Sequence, residues 1–299
     1  MDARERELVD INTRDILNAI AIPVAWLQRA VGLSVRCPAR IFARELRAFD
    51  DDAAAFGLRR AARAMLSVFH QTLSVNGADR LPGRGPLILL SNHPGLTDTL
   101  ALFAAIPRDD LMTLAADRPF LRSLPAVARS LLFLSDPGRS RLAAVRQAVA
   151  HLRSGGTLLT FPAGAIEPDP TVMPGAGESL SHWSSSTMLF LRRVPDAVVV
   201  PVVVQGVIAR AALRHPLTLL RKDSKDRERL AAMLQIVTHA ISPDRWTVHP
   251  RVDFLQPFVG AELTKAAEGA PRMIRERIEG FLSSRERAAP GGFVQGLPR

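Results

Sequence analysis

His93 and Asp98 stand five residues apart in the run Leu89-Leu90-Ser91-Asn92-His93-Pro94-Gly95-Leu96-Thr97-Asp98. A histidine that takes a proton near neutral pH works best when a carboxylate fixes its tautomer and supports the imidazolium. An aspartate at this spacing can serve if the chain turns sharply between the two, and Pro94-Gly95 is a turn pair. With seven histidines in the chain, the spacing is also met by a surface histidine followed by a helix-capping aspartate. Context separates the two readings. Residues 86–90 form an apolar run typical of a short buried strand, and a new helix begins near Asp98. The pair therefore falls where a strand ends and a helix starts, the usual place for a site in an α/β fold.

Further strand-like runs alternate with helical ones after this point. They cover 87–90, 111–115, 131–134, 157–161 and 198–204, with a last one over 247–254. Between them, 139–153 has Leu142, Val145, Val149 and Leu152 on one face and is stopped by Ser154-Gly155-Gly156, with glycine available for a left-handed cap. Such alternation predicts an α/β sandwich, a central mostly parallel sheet flanked by helices. Residues 11–75 read as helices, with Asp50-Asp51-Asp52 marking a break or an N-cap. Residues 76–86 are rich in turn formers, 210–230 mix helix and loop, 263–284 form a terminal helix, and the remainder reads as a disordered tail. The predicted organisation is an N-terminal helical extension over 1–75, a catalytic domain over 76–285 and a tail over 286–299.

The net charge of +10 is carried almost entirely by arginine, since Lys222, Lys225 and Lys265 are the lysines. Codon bias, nucleic acid or anionic lipid headgroups would each account for it. Nucleic acid fits worst: the chain has no Tyr and few other aromatic residues, and shows no recognition-helix, zinc-finger or stacking pattern. Residues 16–35 make a poor membrane span, because Asn18, Pro23, Gln28 and Arg29 interrupt them. Two readings stand for this segment. It lies in a membrane interface, anchored by Trp26 and followed by Arg36, Arg40, Arg44 and Arg47, or it packs on the domain's own core. Residues 1–10 lack the apolar stretch of a signal peptide, and the single cysteine, Cys37, excludes an intramolecular disulfide and fits a reducing compartment. No cluster has metal-ligand spacing, and there is no P-loop, dinucleotide fingerprint or Gly-x-Ser-x-Gly elbow. His182 and Trp183 with Ser184–Ser186 form a polar cluster that reads as a capped helix start or as part of a pocket; His215, His239 and His249 stand alone.

Four elements occur in order: Asn92-His93 with Asp98; Leu132-Phe133-Leu134-Ser135-Asp136 followed by Arg139 and Arg141; Thr160-Phe161-Pro162-Ala163-Gly164; and Val199-Val200-Pro201-Val202-Val203, a buried strand interrupted by proline. This series resembles the phospholipid/glycerol acyltransferase family, whose best-known members acylate lysophosphatidic acid. The resemblance covers roughly residues 75–260. It implies a glycerolipid acyltransferase-like sandwich and an enzyme that moves a fatty acyl group from acyl-CoA or an acyl carrier protein to a lysolipid hydroxyl. It further implies that His93 is the general base and Asp98 its orienting partner. Substrate contacts would come from Asn92, Arg139, Arg141, Phe161, Pro162 and Gly164, with oxyanion donors among the backbone amides of 162–165.

No cofactor or metal is implied beyond the donor itself, and the expected location is the cytoplasmic face of a membrane. One departure is plain: after Phe-Pro the family has Glu, Gly, Thr and Arg, where this chain has Ala163, Gly164, Ala165 and Ile166. Glu167 is nearby in a different register. The competing expectations are a different alcohol acceptor, a thioester hydrolase, and a lipid-binding protein that kept the fold without the chemistry.

Overall fold

The computed structural model describes residues 3–20, 25–95, 97–134, 139–221 and 223–288. The chain opens with helices α1 (Ala3–Ile20), α2 (Ala25–Phe56) and α3 (Leu58–Val68). The α/β part runs through β1 (Ser74–Asn76), β2 (Leu87–Ser91), α4 (Asp98–Ala105), β3 (Leu111–Ala116), α5 (Pro119–Arg122), α6 (Pro125–Ala128) and β4 (Leu131–Leu134). It continues with α7 (Arg139–Arg153), β5 (Thr157–Thr160), α8 (Ala176–Ser179), α9 (Ser186–Leu191), β6 (Val198–Gln205), α10 (Arg210–Leu213) and α11 (Ser224–Ile241). It closes with β7 (Arg251–Phe254), β8 (Phe258–Val259), α12 (Gly260–Ala266) and α13 (Ala270–Ala288).

The sheet order is β1-β7-β6-β2-β5-β3-β4, with β8 also on β6. β2 lies at its centre, parallel to β5 on one side and β6 on the other, while β7 and β8 join β6 antiparallel. The fold is thus α/β with a mostly parallel central sheet, as the alternation predicts. A strand covered on both faces must be apolar at every position rather than every second one. β2 obeys this: Leu87 and Leu89 enter the core shared with α2, α3 and α4, whereas Ile88 and Leu90 enter the core shared with α7, α9, α12 and α13. All four are at most 1% exposed, and burying each such side chain contributes roughly 1.5–3 kcal/mol. Strong two-sided packing fixes the end of β2, and with it the loop that carries His93.

Several expectations need correction. Asp50-Asp51-Asp52 do not break the N-terminal helices; α2 runs through them and ends at Gly57, whose φ is +85°. Asp50 instead accepts hydrogen bonds from the amides of Ala126 and Val127, so it caps α6 from across the fold. The expected strand over 247–254 is shortened to β7, and residues 74–76, read as the end of a helix and the start of a loop, form edge strand β1. The terminal helix is two: Gly260–Ala266 and Ala270–Ala288 are separate, with Pro271 suited to the first turn of the second. On α7 the buried face is Ala144, Ala148 and Leu152, and Leu142 is 51% exposed.

Pro201 has a physical reason. Its carbonyl accepts from Leu255 on the side where β6 changes partner from β8 to β7, so the strand loses no ladder bond through the missing N–H. Helix α13 reaches Ala288, beyond the expected start of the tail; residues 289–299 lie outside the described residues. The Trp26 side chain likewise lies outside them. No helix among the described residues is long and apolar enough to cross a membrane.

Candidate active site

His93 occupies the loop between β2 and α4, at the carboxyl end of the central strand. Its Nδ1 lies 2.6 Å from Oδ2 of Asp98, the first residue of α4, whose side chain is fully buried. The same carboxylate accepts from the amides of Gly95 and Thr99 and from the Thr99 hydroxyl. An ionised carboxylate only accepts, so the proton of the neutral ring sits on Nδ1 and the Nε2 lone pair faces outward. Nε2 has no partner among the described residues, and the side chain is 26% exposed. Gly95 lets the loop pack closely on the segment after β6: a Cβ there would stand 3.2 Å from Val207 and 3.4 Å from Ile208.

The segment after β5 closes around this loop. The Phe161 ring lies against the imidazole with centroids 4.6 Å apart. Gly164, at φ +64°, completes a tight turn in which its amide returns to the Phe161 carbonyl. Glu167 then makes a reciprocal bracket. Its Oε2 accepts from the His93 amide at 3.1 Å, and its own amide donates to the His93 carbonyl at 2.8 Å. Oε1 accepts from Ser179 and from the Trp183 indole. Two residues on, buried Asp169 takes hydrogen bonds from the amides of Thr171, Gly206, Val207 and Ile208 and from the Thr171 hydroxyl. The 167–169 stretch therefore ties the histidine loop to the end of β6.

Burial pushes the His93 pKa down. The charge and hydrogen bond of Asp98, helped by the more distant charge of Glu167, outweigh it, and the net direction is upward. Glu167 is itself raised, because burial outweighs the hydrogen bonds from Trp183, Ser179 and the His93 amide and the attraction of His93. A ring in this setting accepts a proton more readily than free imidazole does. The arrangement can deprotonate a hydroxyl placed at Nε2.

The other sequence candidates divide. Asn92 is buried with its amide group committed, donating to the Val204 carbonyl and accepting from the Val204 amide, so it ties β2 to β6. Pro162 is buried, and its carbonyl accepts from the Ser184 amide. Gly164 is exposed on the turn. Of the 162–165 amides, proline has none and that of Gly164 is used, which leaves Ala163 and Ala165 without partners among the described residues. Arg141 is exposed on α7, and the Arg139 side chain, like Ser135 and Asp136, lies outside the described residues. No metal-binding cluster occurs among the described residues. Neither the bracketing role of Glu167 nor the part played by Asp169 follows from the motifs. A signal exists: both carboxylates alternate with prolines in Ile166-Glu167-Pro168-Asp169-Pro170, a stiff stretch directly after a buried strand.

No protein-family model and no curated protein matches the chain. Among solved structures, the crystal structure of the 1-acyl-sn-glycerophosphate (LPA) acyltransferase PlsC from Thermotoga maritima overlaps 93% of this chain and 97% of that chain, at 16% identity and a TM-score of 0.48. An overlap of that score fixes neither family nor function.

Proposed function

We propose that the chain is an acyltransferase that moves a fatty acyl group from a thioester, acyl-CoA or an acyl carrier protein, to the hydroxyl of a lysophospholipid or related lipid. The observation that carries this reading is the 2.6 Å contact between His93 Nδ1 and the buried Asp98 carboxylate at the end of the central strand, with Nε2 unpartnered. In the proposed reaction Nε2 takes the proton of the acceptor hydroxyl as that oxygen attacks the thioester carbonyl. The tetrahedral intermediate collapses, the C–S bond breaks, and the imidazolium returns its proton to the departing thiolate. The ester and the free thiol are the products, and no acyl-enzyme forms. Asp98 holds the ring and stabilises the imidazolium. The free amides of Ala163 and Ala165 are the candidate oxyanion donors, a role worth about 10² to 10³ in rate per donor elsewhere. Phe161 excludes water from one face of the ring, and Arg141 on the exposed side of α7 is a contact for the phosphates of the donor.

The working unit in this reading is the 76–285 region, with the N-terminal helices facing a membrane surface from its cytoplasmic side. The net charge of +10 and its arginine bias support attraction to anionic lipid headgroups. The test is thiol release from long-chain acyl-CoA by the purified protein, with and without a lysolipid mixture, with mass analysis of the lipid product. Acceptor-dependent release should fall by about 10² to 10⁴ in His93→Ala, which should remain folded. Release that needs no acceptor would make the protein a hydrolase. Full activity in His93→Ala would remove the mechanism.

A further inference from the structure

On the face of the sheet opposite α2–α4, a cavity of about 200 Å³ opens beside the histidine loop. Its walls include Leu90, three residues before His93, and Pro162, next to the ring that covers His93. Trp183, which donates to Glu167, forms another wall. Into the same space come Ser185, Thr187 and, from α13, Arg275. None of their side chains has a hydrogen-bond or ion-pair partner among the described residues; Ser185 is exposed and Arg275 half-buried. Thr187 is only 4% exposed as a residue, and its hydroxyl is not among the fully enclosed unpaired atoms, so the little surface it keeps includes the hydroxyl. No carboxylate lines the cavity.

Two unpaired hydroxyls and an unpaired guanidinium around one small space are donors waiting for an acceptor. A guanidinium with flanking hydroxyls matches an anion that has several oxygens. Volume narrows the choice further. A water molecule's share of liquid is about 30 Å³, so the space holds about six or seven waters' worth of ligand. That is room for a head group, with Leu90, Met188 and Ile274 as an apolar floor beside the polar groups. Position also fits a substrate role, because Pro162 belongs to the segment that brackets His93 and Trp183 is bonded to its Glu167.

We propose that Arg275, Ser185 and Thr187 form a subsite for the phosphate-bearing head group of a substrate. The assignment to a substrate rests on the acyl-transfer reading above; the binding itself does not. The site would supply from α13 a cation that the Phe161-Pro162 loop, with Ala163, Ala165 and Ile166, does not. A phosphate could come from the lipid acceptor or from the phosphopantetheine of the donor, and the two are separable.

Calorimetric titration of the full chain with glycerol 3-phosphate, phosphopantetheine, inorganic phosphate and uncharged glycerol needs no turnover. Wild type and His93→Ala should bind a phosphate probe and not glycerol. Arg275→Ala and Arg275→Gln should bind it at least about tenfold more weakly with unchanged melting temperature, since Arg275 has no partner to lose. Preference for glycerol 3-phosphate assigns the site to the acceptor, and preference for phosphopantetheine assigns it to the donor. Equal binding by wild type and both Arg275 variants, or no phosphate binding by wild type at millimolar concentration, overturns the proposal. Loss of acyl transfer in every assay alongside intact, Arg275-dependent binding would instead count against the acyl-transfer reading alone.

Discussion

The two ends of the central strands are closed by similar materials put to different use. At the end where β2, β3 and β5 begin, Arg108 is only 8% exposed and donates to the carbonyls of Pro82, Gly85 and Gly155 and to both oxygens of Asp110. Asp110 also accepts from the Thr157 hydroxyl. The loops before β2, β3 and β5 are thus all stapled to one cation. At the other end His93 and Asp98 form a hydrogen-bonded pair in a comparable loop setting, yet Nε2, the amides of Ala163 and Ala165, and the side chains of Ser185, Thr187 and Arg275 are left without partners among the described residues. Unspent donors and acceptors cost stability unless something outside the chain satisfies them. One end spends its polar groups on holding strands together; the other leaves them open to solvent and, in the function proposed above, to a substrate.

This contrast predicts opposite phenotypes. Arg108→Ala strands three carbonyls and a carboxylate. With Asp110 partly open to water, it should cost about 1–3 kcal/mol, a fall of several degrees in melting temperature, with little change in turnover of the folded fraction. Its effect should also depend on pH. Asp110 is held below the usual carboxylate range, chiefly by hydrogen bonds from Arg108, so the stabilisation is present above the unfolded aspartate pKa and fades as pH falls through the lower folded value. Thermal melts between pH 3 and 7 should show a narrowing gap between wild type and variant at the acid end. A constant gap would mean the staple acts by packing alone.

Asp98→Asn should do the reverse. The amide holds the ring less well and supports no imidazolium, so kcat should drop about 10²-fold while KM moves little. An unchanged kcat would reduce Asp98 to a helix start. Glu167→Gln has the smallest expected effect, about tenfold in kcat, the loss of one charged hydrogen bond. The glutamine can face its oxygen to Ser179 and Trp183 or to the His93 amide, but not to both. Removing the second carboxylate should also move the acid limb of the rate profile to lower pH. A variant with normal kcat and an unmoved limb would leave Glu167 as scaffold only.

Much of this was legible in the chain. The strands β2 to β6 are long or apolar enough to show as runs, and the His93-Asp98 spacing with its Pro-Gly turn marks the site. What escaped depends on contacts between distant segments. Strands β1 and β8, of three and two residues, are too short for any period to show. Asp50 looks like a helix breaker and is a cap for a helix 76 residues further on. Asn92 sits beside the histidine and looks like a ligand contact, yet its amide completes the sheet against Val204. Glu167 lies outside the motif read from the sequence, and its contact with the His93 backbone, 74 residues away, shows only in the fold.

In the proposed mechanism two carboxylates make His93 a better base. The direct measurement is the pH dependence of kcat/KM for acyl transfer from an acyl-pantetheine thioester to an uncharged lipid alcohol, a pair in which neither substrate titrates near neutrality. The base works only when neutral, and its pKa is raised. Activity should therefore fall on the acid side through a midpoint above the ordinary histidine value of about 6.5. A midpoint at or below that value, or a rate flat down to pH 5, would contradict the assignment of His93 as the base.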